Sequence, residues 1–249
     1  MIIKVITTQL FILTSLLHAN EQSEIKEKQA NTQELIQLLL DQDLGTRKFA
    51  FPDVIHAATG KKVIPLDIKN STHQIILNAV IVAVKKTATE LSQQDSPVRK
   101  LRRINEASRF FEDRIMQKLN LHPELQCSIP INNKGNEQRS GYPDILIIHT
   151  TPDGIKTHAY LDPKLFEDKS RASSLRTFYY EPRKHTNKIQ HHALHLLTGI
   201  SHDGNEGRWK FTNAEVCDLS HFHVRLKAEF QASNRDLYRK PVLLTTPEQ

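Results

Sequence analysis

Residues 142–164 read YPDILIIHTTPDGIKTHAYLDPK, and this stretch predicts a β-hairpin. Its centre, Pro152-Asp153-Gly154, is typical of a three-residue loop, because proline presets the first turn position and glycine accepts a left-handed backbone. With this loop as the centre, Thr151 faces Ile155. The numbers of any two facing residues then sum to 306.

Two aspartates obey this pairing rule. Asp144 and Asp162 should lie directly opposite each other, with Cβ atoms about 5 Å apart on one face of the hairpin. Lys164 follows Asp162 by two residues and therefore points to the same face, whereas Pro163 points to the other. The hairpin thus predicts a cluster of two carboxylates and one ammonium.

Such a pair of carboxylates is unfavourable without a cation. Like charges at this distance repel and raise a pKa. The apolar run Ile145–Ile148 indicates a strand that is buried on both faces, which increases the cost. Mg²⁺ prefers oxygen ligands and keeps several waters, so a magnesium site at Asp144 and Asp162 would remove the conflict.

The spacing resembles the motif of the PD-(D/E)xK nuclease superfamily. Pro143-Asp144 matches "PD", and Asp162-Pro163-Lys164 matches "DxK". The resemblance implies an α/β restriction-endonuclease-like fold, in which helices flank a central mixed sheet. It also implies phosphodiester hydrolysis, with Mg²⁺ held by Asp144 and Asp162, with Glu112 and the Pro163 carbonyl as optional further ligands, and with Lys164 positioning the attacking water.

The superfamily also places an acidic residue on a preceding helix. The segment NEASRFFEDRI offers Glu112, with Glu106 as the alternative. Glu112 is preferred because it follows the apolar Phe111 and can lie at the edge of the buried helix face.

Further segments resemble the C-terminal half of type II restriction endonucleases. These are SSLRTFYY, KIQHHALHLL and VRLKAEFQASNRDLY, and the likeness extends over residues 103–238. It implies double-stranded DNA as the substrate and a homodimer, since symmetric cuts need two sites.

Basic residues follow the predicted catalytic lysine. Arg171, Arg176, Lys184 and Lys188 are interleaved with aromatic residues, and the chain has a formal net charge of +6. A basic balance favours polyanionic partners because phosphate contacts release counterions. These four side chains are therefore predicted contacts to the DNA backbone, although such a run can also be a solvated surface.

The rest of the pattern predicts a mainly helical N-terminal region, 20–97, and a nuclease-like core, 98–249. Asn70 or Ser71 can cap a helix through IILNAVIVAVKK, although a run that is apolar on all sides also fits a buried strand. A helix is predicted from Val98 to Leu119.

Four further elements are predicted. Asn187 and Gly199 would begin and end a helix through KIQHHALHLL, with a strand at ALHLL as the weaker alternative. Strands are expected at 125–131 and 209–216. Alternation of apolar and charged residues predicts a half-buried strand at 224–230.

Two other strings match the D…DxK pattern. Pro52-Asp53 followed by Asp67-Ile68-Lys69 could pair across a turn near Gly60. It ranks lower because Pro65 interrupts the second strand. Glu167-Asp168-Lys169 lies in a polar stretch that predicts a loop.

Histidines and cysteines offer other chemistry. His191 and His195 have the spacing of a zinc pair on a helix, within a stretch that also contains His185, His192 and His202. Neither HExxH nor a cysteine partner accompanies them, so solvated or core histidines are the preferred interpretation. Cys127 and Cys217 could pair in an exported protein and would stay free in a cytoplasmic one.

The first 19 residues resemble a secretory signal peptide, with a buried N-terminal element as the alternative. No run approaches the roughly 20 apolar residues of a membrane span, so no membrane partner is expected. The resemblance leaves a type II restriction-like enzyme as the main hypothesis. An exported non-specific nuclease and a non-catalytic DNA-binding module are the alternatives.

Overall fold

The computed structural model describes residues 31–174, 178–227, 229–240 and 242. The larger of two compact units is Phe49–Val224, and the smaller combines Met1–Lys48 with Arg225–Gln249. The predicted signal segment, 1–19, lies outside the described residues. Among the helices that are described, none has the length and apolar character of a membrane span.

The smaller unit contributes helix α1, at residues 31–41, and the short helix α5 (Asn234–Leu237). Strand β1 (Lys48–Ala50) pairs with β8 (His223–Arg225) in a two-stranded sheet. The larger unit contains the remaining helices, α2 (Phe51–Thr59), α3 (Ser71–Leu91) and α4 (Ser108–Leu119). Its strands are β2 (Val63–Ile64), β3 (Leu125–Ser128), β4 (Ile145–Thr150), β5 (Lys156–Glu167), β6 (Ala193–His202) and β7 (Phe211–Asp218).

These six strands form one mixed sheet in the order β2-β6-β5-β4-β3, with β7 also paired to β6. Strand β6 runs parallel to β5 and β2, whereas the β3–β4, β4–β5 and β6–β7 pairs are antiparallel. The predicted α/β class with a central mixed sheet is confirmed.

Apolar clusters cover both faces of the sheet. Phe111 and Ile115 of α4 pack in one cluster with α3 and with Leu161 of β5. Phe51 of α2 packs in the other cluster with Tyr160 of β5. Because neighbouring residues of a strand point to opposite faces, helices flank the sheet on both sides, as predicted.

Helix α3 begins where the sequence indicates. The Asn70 side chain accepts a hydrogen bond from the His73 backbone N–H at 3.2 Å, which caps the helix. Its buried residues include Ile76, Val80 and Val84, four residues apart on one face. The run that looks apolar on all sides is therefore a helix and not a buried strand.

The central hairpin has the predicted register. The pairs run from Ile145–Leu161 to Thr150–Lys156, and the numbers of each pair sum to 306. The Thr151 N–H donates to the Ile155 carbonyl at 3.0 Å. Gly154 has a φ of 84°, the left-handed conformation that the loop requires.

The helix predicted through KIQHHALHLL is wrong. Residues 193–202 form strand β6, which lies between β5 on one side and β2 and β7 on the other. Leu194 and Leu196 enter one apolar cluster and Ala193 enters the other. A strand buried on both faces reads as a continuous apolar run, which periodicity alone cannot distinguish from a helix.

Other predicted boundaries also shift. The helix predicted from Val98 begins only at Ser108, after two 3₁₀ turns at Pro97–Lys100 and Ile104–Ala107. Between them the Leu101 backbone is extended, and its carbonyl accepts the Trp209 indole N–H at 2.7 Å.

Near the C-terminus, the strand predicted at 224–230 is too long. Strand β8 ends at Arg225, and the apolar side chains of Leu226 and Phe230 are exposed. The predicted strands at 125–131 and 209–216 correspond to β3 and β7 with shifted ends.

Candidate active site

The structure brings the three predicted catalytic side chains together at one end of the hairpin. Asp144 directly precedes β4, whereas Asp162 and Lys164 lie on β5. The Lys164 ammonium nitrogen is 2.5 Å from Asp162 Oδ2 and 3.9 Å from Asp144 Oδ2. The Asp162 side chain is 0% exposed and that of Asp144 is 11% exposed. The regular hairpin pairs end at Ile145–Leu161, and the Asp144 N–H donates to the Leu161 carbonyl one residue out of that register.

Asp162 is a buried carboxylate with unused hydrogen-bonding capacity. Neither of its oxygens accepts a hydrogen bond of normal geometry from the described residues, although the Lys164 ammonium lies beside Oδ2 as a counter-ion. A buried acceptor without a donor costs about 1–3 kcal/mol, and more when it is charged. The Asp162 carboxylate can therefore bind a second cation in addition to the Lys164 ammonium.

The pKa of Asp144 shows the same unfavourable proximity of two buried carboxylates, Asp144 and Asp162. Burial, and after it the neighbouring Asp162 carboxylate, raises the pKa of Asp144 to about 8, and the opposing effect of the Lys164 ammonium is smaller. Burial acts to lower the pKa of Lys164, but the two carboxylates outweigh it and raise that pKa. Without a further cation, a proton on Asp144 is the means by which the site limits its charge.

Glu112 of α4 lines the same cleft, which has a volume of about 300 Å³ and is bordered by Asp144, Lys164 and Tyr179. Burial raises the pKa of Glu112, an effect that Arg139 opposes. The alternative acid, Glu106, is exposed and does not line this cleft.

Arg139 is a site residue that the sequence analysis does not identify. One guanidinium nitrogen lies 3.5 Å from Glu112 Oε2, and the other lies 2.8 Å from Asp113 Oδ1. Arg139 also lines the cleft. Its loop position, 27 residues after Glu112, carries no periodic signal, so only the fold shows this pairing.

The donor set suits a hard divalent cation held by few protein ligands. No group of three or more His, Cys, Asp or Glu side chains in the described residues is arranged to hold a metal ion. Mg²⁺ is commonly bound through one or two carboxylates and keeps its waters, whereas structural zinc takes four protein ligands. Asp144 and the unsatisfied Asp162 fit the first pattern.

The four predicted DNA contacts have different surroundings. Arg171 is exposed and pairs with Glu215 at 2.8 Å, and Lys184 is exposed. Arg176 lies outside the described residues. Lys188 is only 2% exposed, and its ammonium donates to the backbone carbonyls of Gln138 and Gly141. A surface phosphate contact by Lys188 is therefore not supported, because this side chain points into the protein.

The two competing strings do not form sites of this kind. Asp53 lies in the first turn of α2 and not on a strand, and Gly60 ends that helix. The Asp67 N–H donates to the His73 ring at 3.0 Å, within a turn before α3. Asp168 begins a 3₁₀ turn, in agreement with the predicted loop, and its carboxylate accepts from the Thr212 hydroxyl.

The histidine-rich stretch has no helical zinc pair. His191 stacks on His158, with ring centroids 4.0 Å apart, whereas His195 is buried in β6. The His195 Nδ1 lies 2.7 Å from the Tyr142 hydroxyl, and burial lowers the pKa of His195 to about 3. His191 therefore makes a stacking contact, and His195 is a core residue. Cys127 and Cys217 are both free.

The region of the chain that contains this cleft is similar to known proteins. Residues 44–241 match the model of the type II restriction enzyme MjaV family. The type II restriction enzyme MjaV of Methanocaldococcus jannaschii is 29% identical over 210 residues, which cover 79% of this chain and 88% of that protein. No solved structure matches. The chain therefore belongs to the type II restriction enzyme MjaV family, a family of DNA endonucleases.

Proposed function

We propose that this DNA endonuclease cleaves double-stranded DNA in a Mg²⁺-dependent reaction at Asp144, Asp162, Lys164 and Glu112. The observation that carries the proposal is the ammonium of Lys164 beside two buried carboxylates, one of which, Asp162, has an oxygen, Oδ1, that accepts no hydrogen bond from the described residues. Carboxylate oxygens with unused capacity are the ligands that a hard divalent cation requires.

In this proposal Asp144 and Asp162 hold the metal ion. When bound, Mg²⁺ would supply an acidified water and stabilise charge that develops on the scissile phosphate. The raised pKa of Lys164 keeps its side chain protonated at neutral pH. Lys164 therefore donates a hydrogen bond that orients the attacking water or the phosphate, and it does not accept the proton.

Glu112 would complete the site from the helix side of the cleft. Burial raises the pKa of Glu112 above that of an exposed glutamate. Its carboxyl group can therefore accept or hold a proton within the cleft more readily. Arg139, which faces Glu112, supplies a positive group where a DNA phosphate would enter.

Exposed cations would position the DNA backbone. We assign phosphate contacts to Arg171 and Lys184, and, from the sequence pattern alone, to Arg176. A homodimer would supply the two sites that a symmetric cut needs. Exposed basic side chains contribute affinity without sequence information, so the recognised sequence is read elsewhere.

The test is cleavage of supercoiled and linear DNA by the wild type and by Asp144→Asn, with Mg²⁺ or EDTA. The substitution preserves shape but removes a metal-binding charge, so we expect cleavage to fall by about 100-fold or more. Asp53→Asn is the matched control, because Asp53 is exposed on α2 and belongs to the competing string. It should cut as the wild type does.

Discrete bands would support a restriction-like enzyme, whereas a smear would favour the non-specific nuclease. Mg²⁺-dependent cleavage that survives Asp144→Asn would remove the hairpin site from the proposal. DNA binding without cleavage under all metal conditions would favour the binding module.

A further inference from the structure

Lys188 places a buried ammonium beside the proposed catalytic site. Its nitrogen donates to the backbone carbonyl of Gln138 at 3.0 Å and to that of Gly141 at 2.5 Å. Burial lowers the pKa of Lys188 to about 8, against the opposing effect of the site carboxylates, of which Asp144 is the strongest. A charged amine is costly to bury, so this arrangement indicates a role that a surface lysine would not have.

The two carbonyls belong to the loop that leads into the site. Gly141 lines the cleft and is followed by Tyr142, Pro143 and the proposed ligand Asp144. Arg139, which pairs with Glu112, lies between the two carbonyls. One ammonium therefore holds the loop backbone on both sides of Arg139, immediately before the metal-binding aspartate.

Lys188 itself extends from a firmly held piece of backbone. The Asn187 side chain accepts from the Ile189 N–H at 3.0 Å and donates to the Ile189 carbonyl at 3.2 Å. The Gln190 N–H donates to the hydroxyl of Tyr160, which lies on β5. The backbone next to Lys188 is thus hydrogen-bonded to β5, the strand that carries Asp162.

We propose that Lys188 is a positioning residue, whose two hydrogen bonds fix the Gln138–Gly141 backbone and thereby hold Asp144 and Arg139 in place. This inference rests on the proposed function. Asp144 itself is fixed by the hydrogen bond from its N–H to the Leu161 carbonyl and, on its downstream side, by the pairing of Ile145 with Leu161. Lys188 supplies the matching restraint upstream, so that the carboxylate is held from both ends.

The test compares Lys188→Met, which removes the donors, with Lys188→Gln, which keeps an amide donor but removes the charge. Misplaced catalytic groups lose rate without losing DNA affinity, so Lys188→Met should lower kcat by about 10- to 100-fold. The DNA Kd in EDTA should stay within about twofold, and the Mg²⁺ concentration for half-maximal rate should rise. Lys188→Gln should recover most of kcat.

Lys134→Met is the control, because Lys134 is an exposed ammonium of the same loop. Its kcat and its Mg²⁺ requirement should match the wild type. Melting temperatures of all variants show how much of any loss is due to unfolding. If Lys188→Met does not fold, Lys188→Gln decides: a folded variant with high kcat supports positioning.

Three results would overturn the inference. Loss of DNA affinity with unchanged kcat would make Lys188 a phosphate contact, as the sequence pattern first indicates. Equal loss of kcat in folded Met and Gln variants would show that the charge acts, and not the hydrogen bonds. A wild-type kcat in Lys188→Met would also contradict it. Asp144→Asn is assayed in parallel. If the proposed function is wrong, that variant stays active, whereas a failure of the Lys188 inference alone leaves it inactive.

Discussion

The proposed site consists of residues whose placement is unfavourable without a bound cation. Asp162 is buried with unsatisfied oxygens, and the pKa of Asp144 is raised to about 8. Such perturbation is common at functional sites, because groups that are costly in the free protein are kept for their chemistry. We therefore place the proposed site at these residues, and the pKa of Asp144 predicts how it responds to pH.

Metal affinity should increase with pH up to about 8. Below this value the raised pKa keeps a proton on Asp144, and the cation must displace that proton to bind. For one displaced proton the apparent affinity should fall by up to about tenfold per pH unit below pH 8. Calorimetry of Mg²⁺ binding between pH 6 and 8, in buffers of different ionisation enthalpy, measures both affinity and proton release.

Asp144→Asn is the control for this titration, because it cannot bind the proton. Its residual Mg²⁺ binding should show little dependence on pH in this range. An affinity of the wild type that does not change between pH 6 and 8 would mean that Asp144 is already ionised in the metal-free protein.

Among elements, the hairpin and β6 show what local pattern can and cannot decide. The loop of residues 152–154 sets the register, so the pairs from Thr150–Lys156 to Ile145–Leu161 are predicted correctly, and they leave Asp144 and Asp162 at the same end of the hairpin. Strand β6 gives no such local signal. It is buried on both faces beside β5, and its apolar run fits a helix equally well. Its true form follows from its neighbours in the sheet.

Removal of the α3 cap should destabilise the protein without affecting its chemistry. The Asn70 side chain satisfies the His73 N–H at the first turn, and Asn70→Ala should lower the free energy of unfolding by about 1 kcal/mol. Ser71→Ala is the control, since Ser71 is the alternative cap in the sequence and lies inside the helix. It should change stability by less than about 0.5 kcal/mol.

Chemical denaturation of both variants measures the difference, and cleavage by the folded protein should be unchanged. Equal destabilisation by the two substitutions would show that the cap contributes little.

At the scale of the whole molecule, the charge of +6 and the acidic cleft have separate roles. A polyanion is attracted by the overall basic balance, yet the site itself concentrates carboxylates that repel phosphate. In our proposal, exposed cations such as Arg171 and Lys184 contribute binding that the cleft does not. Their effect should depend on salt, because counterions are released when phosphates are neutralised.

Replacement of Arg171 by Ala or of Lys184 by Met should weaken DNA binding similarly for different sequences. Each should reduce the slope of log Kd against log salt by about one, the value for one lost phosphate contact. Fluorescence anisotropy in EDTA at several salt concentrations measures the slope. Lys86→Met, on the exposed side of α3, is the control and should leave it unchanged. An unchanged slope in the Arg171 or Lys184 variant would exclude that residue as a contact.

The sequence by itself determined the hairpin and its register, and it limited the cap of α3 to Asn70 or Ser71, because loop and capping residues act over short distances. The restriction-endonuclease-like α/β class came from the family resemblance. The sequence also supplied the D…DxK pattern and Glu112. Only the tertiary structure decided that 193–202 is a strand, that Arg139 faces Glu112 and that Lys188 is buried beneath the loop before Asp144. Those features depend on contacts between residues far apart in the chain, which leave no local signal.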